Sequence, residues 1–220
     1  VHVEGSGSAA GSVLLTRSVG SRPGLPSSRS WAAVVEAFAE GRPATICDVC
    51  DSELVAEVCV PAESLTTQLA AFLVKHTSGI ITATIDDSIA ARLAFPLLSP
   101  DFTREAGRFC VAVDGKSSST GISAHDRAVT IRKMADASST PADFNRPGHV
   151  IPVLTGGIFA ITRWCRYDAA AAASKEAGLS GVVASAGLVH GVSTTTPEHV
   201  SEFGRLHDVP IAAACDALPE

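Results

Sequence analysis

Residues 64–94 read SLTTQLAAFLVKHTSGIITATIDDSIAARLA, and the punctuation of this stretch decides the fold. From Ser64 to His76 the apolar residues recur at helical spacing, which predicts an amphipathic helix. Thr77-Ser-Gly79 breaks it. Gly79–Ile85 (GIITATI) is a short, β-branched apolar run of the kind that forms a buried strand, and Asp86–Ala94 returns to a helical pattern. A buried strand between two helices, joined by connections of a few residues, belongs to a sheet covered by helices.

The same alternation extends in both directions. Upstream, Trp31–Glu40 (WAAVVEAFAE) is a helix with Ser30 as its cap and Gly41 as its stop. Pro43–Cys50 and Val58–Val60 read as two strands around a tight polar loop. Downstream come a strand-like Phe109–Val113, a helix over Ser123–Ala137, and a loop with an extended end over Pro141–Pro152. A helix over Asp168–Ala177 closed by Gly178, a strand Val182–Ser185, a helix Pro197–His207 and a strand Val209–Ala213 complete the series. Interleaved strands and helices over residues 31–220 argue one domain of α/β or α+β type. Residues 1–30, rich in Gly, Ser, Pro and Arg and without periodicity, read as a flexible leader.

Composition excludes several classes of function. The chain has 220 residues, 46% hydrophobic and 18% charged, with a net charge of −6 and a mean hydropathy of +0.26. No basic block exists to neutralise phosphates, so no nucleic-acid partner is expected. No apolar run reaches the length of a membrane span, so no membrane partner is expected either. The six cysteines are scattered, as in a reduced, cytoplasmic protein. The hydrophobic excess fits surface hidden in an oligomer.

Chemistry-bearing residues fall into a few constellations. Cys47-Asp-Val-Cys50 has the spacing of half a zinc or redox site, but no second pair accompanies it. Asp48, Asp51, Glu53 and Glu57 crowd one segment, where carboxylates can hold Mg²⁺, work as acid and base, or simply face water. His76 closes a helix into a strand. Thr120-Gly-Ile-Ser-Ala-His-Asp-Arg127 puts a Gly turn, hydroxyls and backbone N–H groups at a helix start, which suits an anion and also opens ordinary helices. Asn145-Arg-Pro-Gly-His149 sets an Arg and a His around a Pro-Gly turn.

Taken in order, Pro61-Ala-Glu63, His76 with Ser78-Gly79, Thr120-Gly with Ser123-Ala and Asp126-Arg127, and Asn145-Arg-Pro-Gly-His149 resemble the 3,4-dihydroxy-2-butanone-4-phosphate synthase family of riboflavin biosynthesis. The resemblance runs from about Trp31 to Leu218. It implies a single α+β domain, a mixed sheet with flanking helices, and a homodimer with sites near the interface. It also implies Mg²⁺ and conversion of ribulose 5-phosphate to a four-carbon ketone phosphate plus formate.

Departures from the family pattern fall on the chemistry. Against the family's acidic loop, Glu53 keeps the place of a metal-binding Glu, whereas Ser52 replaces a substrate-binding Arg. Val55, Ala56 and Glu57 replace Glu, Gly and Asp. In Arg163-Trp-Cys-Arg-Tyr-Asp168, Arg163 is retained, but Arg166 stands where the family has a metal-binding His, and Trp164 and Tyr167 add bulk. Ser185 or a close neighbour takes the place of a catalytic Glu. A guanidinium has no lone pair for a metal, so Arg166 is expected to replace the ion's charge, with Glu53 or Asp168 as its partner. These substitutions point to a repurposed enzyme without a cofactor, acting on a small-molecule substrate of specialised metabolism, a carbonyl- or carboxylate-bearing metabolite larger and more apolar than a sugar phosphate, by isomerisation, cyclisation or C–C cleavage. Glu53 and His149 are then the acid/base candidates, tuned by Asp51 and Glu57. His76, Ser78, Thr120, Arg146, Arg163, Trp164, Arg166, Tyr167, Asp168 and Ser185 are the substrate-binding candidates. If any metal binds, Glu53 is its ligand. The competing readings are an authentic Mg²⁺-dependent synthase and a non-catalytic binding homologue.

Overall fold

The computed structural model describes residues 25–27, 29–50, 53–99, 108–156, 164–191 and 193–218. Its first helix, α1 (Trp31–Ala39), starts where Ser30 caps it, the Ser30 hydroxyl accepting from the Ala33 N–H. Strands β1 (Ala44–Cys50) and β2 (Glu53–Pro61) follow as an antiparallel pair in which Cys50 faces Glu53 and Ala44 faces Cys59. β2 therefore begins five residues earlier than the sequence suggests. The acidic segment read as a loop is ladder, because Leu54, Ala56 and Val58 alternate into the core and outweigh the charges between them.

Helix α2 (Thr67–His76) is capped by Thr66, after a short 3₁₀ turn over Ala62–Ser64. Strand β3 (Thr82–Asp86) leads into α3 (Asp87–Leu93), capped by the Asp86 carboxylate on the Ile89 N–H. The strand expected over Phe109–Val113 reduces to two isolated bridges, Leu97 with Cys110 and Phe109 with Val153, followed by the short β4 (Val113–Gly115). Helix α4 (Ala124–Ala135) starts from Ser123 as expected.

The loop expected over Pro141–Pro152 is the largest difference. A 3₁₀ turn at Pro141–Asp143 passes directly into β5 (Phe144–Thr155), the longest strand. Its register with β4 jumps from Val113 opposite Val150 to Asp114 opposite Asn145, so residues 146–149 bulge out of the ladder. Pro147 sits in that bulge, where its missing N–H costs no ladder bond. Gly148 is required there, since a Cβ would lie 2.0 Å from the Val113 carbonyl carbon.

Helix α5 (Arg166–Glu176), β6 (Val183–Gly187), the small hairpin β7 (Val189–His190) and β8 (Ser193–Thr194), α6 (Pro197–His207) and β9 (Ile211–Ala213) complete the chain. The main sheet has seven strands in the order β4-β5-β3-β6-β2-β1-β9. It is mixed: β1/β9 and β3/β5 run parallel, the other pairs antiparallel. Helices cover both faces. α2, α3, α4 and α6 bury Leu73, Leu93, Ile131, Met134 and Phe203 against one face, while α1 and α5 bury Val34, Phe38, Ala169 and Ala173 against the other. The domain is thus α+β, a mixed sheet with flanking helices. The last leader residues are tied down, Arg29 pairing with Asp216 at 2.9 Å and Leu25 packing on the core. Residues 1–24, most of the expected flexible leader, lie outside the described residues. No helix among the described residues is long and apolar enough to cross a membrane.

Candidate active site

Alternation along β2 turns Glu57 and Cys59 toward α5, and the antiparallel partner β6 turns Ser185 and Gly187 to the same side. Helix α5 presents its first turn to them. Arg166 donates from Nε to Glu57 Oε1 at 3.1 Å and from Nη2 to the Tyr167 hydroxyl at 3.2 Å. The Tyr167 hydroxyl in turn donates to Glu57 Oε1 at 3.2 Å, and the guanidinium lies 4.4 Å from the Tyr167 ring centre. All three side chains are buried. Deeper, the Ser185 hydroxyl meets Cys59 Sγ at 3.4 Å. Burial raises the Cys59 thiol to about 12, against the opposing hydrogen bond from Ser185.

The partner of Arg166 is therefore Glu57, not Glu53 or Asp168. Glu53 faces the same side but lies four residues back along β2, about 13 Å away, and is exposed opposite Cys50. Asp168 is committed elsewhere. It pairs with the fully buried Arg108 at 3.0 Å and accepts from the backbone N–H groups of Gly156 and Cys165.

Ser78 joins the cluster from the β3 side. Its N–H donates to the Gly187 carbonyl, and a Cβ on Gly187 would lie 3.8 Å from Ser78 Oγ and 4.0 Å from Glu57 Oε1. The absent side chain leaves a small gap between the two. His149 lies on the same sheet face, three strands away at about 14 Å. There its Nδ1 is 2.8 Å from Asp114 Oδ2, and its backbone N–H donates to Asp114 Oδ1 at 2.9 Å. Thr120 is exposed beside this corner, on a turn pinned when Ser119 and Gly121 donate to Asp126.

Other candidates are not gathered here. His76 lies in an aromatic group with Phe72 and His207, its ring 4.7 Å from that of His207. Burial, then the neighbouring His207 and Lys75, lowers its pKa. Arg146 donates to the Leu93 and Ala94 carbonyls and stacks on Phe95. Trp164 donates to the Ala214 carbonyl at 2.8 Å and packs beside the α1/α5 core. Asp51 and Arg163 lie outside the described residues. A cavity of about 360 Å³ opens near Asp86, Thr155, Trp164 and Lys175, at the opposite end of the strands from Glu57 and His149. Sequence reading missed Arg108 and Asp114. The signal for Asp114 was a lone charge in the apolar run VAVDG.

A single α+β domain with a buried carboxylate, a half-exposed imidazole and hydroxyls on one sheet face carries the kinds of group that enzymes of small metabolites use. Residues 32–217 match the family model of 3,4-dihydroxy-2-butanone 4-phosphate synthase, and the chain belongs to that family. It is 32% identical to the 3,4-dihydroxy-2-butanone 4-phosphate synthase of Saccharomyces cerevisiae, over 80% of this chain and 90% of that protein. It is 33% identical to the enzyme of the same name from Vibrio cholerae, over 84% and 86%. A solved synthase in complex with two magnesium ions superposes with a TM-score of 0.76 at 28% identity, covering 84% of this chain and 93% of that one.

These relatives correct two expectations. They are named as authentic synthases, which overturns the reading of a repurposed enzyme of specialised metabolism; isomerase and cyclase chemistry falls with it. The expectation of no cofactor is overturned by the magnesium-bound relative. The described side chains do not themselves form a fitting Mg²⁺ site, however. Arg166 offers no lone pair, Glu57 is engaged by it, and among the described residues no three His, Cys, Asp or Glu side chains converge on one point.

Proposed function

We propose that the chain catalyses its family's reaction, converting ribulose 5-phosphate to a four-carbon ketone phosphate with release of formate, and that it requires Mg²⁺ to do so. The observation that carries this reading is a family match spanning nearly the whole domain, joined to a sheet face on which His149 of the family pattern is held by Asp114.

The roles of the chain's own residues follow from their surroundings. His149, with its ring half out in solvent and one nitrogen held by Asp114, moves protons. Thr120 and the turn it stands on receive the anionic end of the substrate. Arg166, buried and paired with Glu57, holds the first turn of α5 against β2. Glu53, exposed at the start of β2, keeps only the place of the metal-binding Glu of the family pattern. Ser185 is no substitute for a carboxylate in proton transfer at neutral pH, so turnover is slower than in relatives that carry one there. The large exposed apolar residues Ile80, Leu98, Ile122, Val189 and Leu206 support a homodimer, and the free cysteines support a cytoplasmic setting.

The test is formate release from ribulose 5-phosphate by the purified chain. The expected result is formation with Mg²⁺ that is lost on chelation. A folded sample that releases no formate above background with Mg²⁺ or Mn²⁺ overturns the reading.

A further inference from the structure

We infer that Asp114 is a positioning residue that fixes the tautomer and direction of the His149 imidazole, and that Gly121 exists to make room for it. The role of His149 as proton carrier rests on the synthase reading above; the hold of Asp114 on the ring does not.

Asp114 grips His149 at two points. One carboxylate oxygen takes the backbone N–H at 2.9 Å, the other lies 2.8 Å from Nδ1. A carboxylate only accepts, so the ring proton sits on Nδ1 and the lone pair of the neutral ring sits on Nε2. Nε2 has no partner among the described residues. The side chain of Asp114 is 12% exposed and that of His149 42%, so the orienting group is inside and the working group faces out. A buried acid that holds a half-exposed imidazole in one tautomer is the arrangement a general base needs.

The surroundings are shaped around this pair. The β4–β5 register shift at Val113/Asp114 keeps Asp114 in the ladder opposite Asn145 and leaves residues 146–149 bulged beside it, where the His149 N–H reaches its carboxylate. Gly121, at φ +78°, lies directly against it: a Cβ there would be 2.0 Å from Asp114 Oδ2 and 2.4 Å from its carboxyl carbon. Asp126 pins the same turn by accepting from the Gly121 N–H at 3.2 Å. Arg146, three residues before His149, is turned away onto the Leu93 and Ala94 carbonyls. Its charge therefore does not compete for the carboxylate.

The experiment is long-range ¹H–¹⁵N NMR of the histidine rings, with His149→Gln to assign the signal, run beside the formate assay. The wild-type ring is expected as the Nδ1–H tautomer. Asp114→Asn keeps the shape but can offer either an oxygen or an NH₂, so a tautomer mixture is expected, with kcat lowered about 10²-fold and KM nearly unchanged. Gly121→Ala removes no polar group but displaces the Asp114 carboxylate, and should shift the tautomer in the same direction. A wild-type Nε2–H tautomer, or an Asp114→Asn protein with an unchanged tautomer, overturns the inference. If no variant and no wild type releases formate, the function falls while the tautomer result still decides the role of Asp114.

Discussion

The first turn of α5 and the β4–β5 corner solve opposite problems on the same sheet face. In the first, Arg166, Tyr167 and Asp168 are all buried and bonded to other protein groups, Glu57 and Arg108 among them. In the second, a buried Asp114 holds a His149 that faces solvent. The first region carries the departures from the family pattern, the second the stretch Asn145-Arg-Pro-Gly-His149 that resembles it. An ionic cluster closed on itself contributes rigidity, whereas a chemical role needs a group left open toward solvent. The division therefore assigns architecture to α5 and proton chemistry to the corner.

The sharpest way to break that division is to remove Asp168. Its partner Arg108 is fully buried, and truncating one member of such a pair leaves an uncompensated charge that costs about 3–5 kcal/mol. Asp168→Ala also strips the acceptor from the Gly156 and Cys165 N–H groups. Urea unfolding should show a loss of that size; a loss below about 1 kcal/mol would mean that the α5 turn is not the architectural element claimed.

Arg166→His asks whether the first region can be turned back toward chemistry. It removes a fixed positive charge and supplies an imidazole lone pair in its place. Two unit charges 4 Å apart repel by about 4 kcal/mol at an effective dielectric of 20. Even after relaxation and screening, a gain of about tenfold in Mg²⁺ affinity, or 1.4 kcal/mol, is expected. Calorimetric titration measures it. Unchanged affinity would show that the ion, wherever it binds, is indifferent to residue 166, and would strengthen the purely architectural role.

What the sequence made legible follows the range of each interaction. Helix α6 spans the residues expected of it, Pro197–His207, because Pro197 in the first turn is a local signal. The caps Ser30 and Ser123 were read for the same reason. Glu57 is singled out, but its pairing with Arg166 goes unforeseen, since the expected loop hides the alternation that turns it toward α5. Asp114 and Arg108 were missed altogether. Their partners lie 35 and 60 residues away, and no local pattern records such a meeting. The β5 strand was hidden by its own bulge, which places Pro and Gly where they imitate a turn.

Thiol labelling sharpens the contrast at smaller scale. Cys59 and Cys165 lie inside the first region, and burial pushes both thiols up to about 12; Cys47 is raised to about 12 and Cys110 to about 11 for the same reason. Cys50, half-buried with Arg166 Nη1 at 3.9 Å from its sulfur, marks the outer edge of that cluster. Native iodoacetamide labelling at pH 8 followed by peptide mapping should modify Cys50 and Cys215 and spare the other four. Rapid modification of Cys59 would show that the closed cluster opens readily.

The smallest expected effect is an acid sensitivity confined to the corner. Burial pulls the Asp126 carboxyl upward, but hydrogen bonds from Ser119, Ser123 and Gly121 outweigh it and hold the group below its ordinary value of 3.8. A carboxyl whose folded value is depressed stabilises fully above its unfolded value and loses that contribution as pH falls through the folded one. The contribution of Asp126 is thus constant from neutral pH down to about 4, and declines only in stronger acid. Hydrogen exchange at the Ser119 and Gly121 amides, whose protons it accepts, should lose protection there relative to the acid trend of the rest of the chain. In Asp126→Asn the excess loss should vanish. If instead the α5 amides of the first region loosen before the 119–121 turn does, the closed cluster is the more acid-labile of the two, and the assignment of rigidity to it fails.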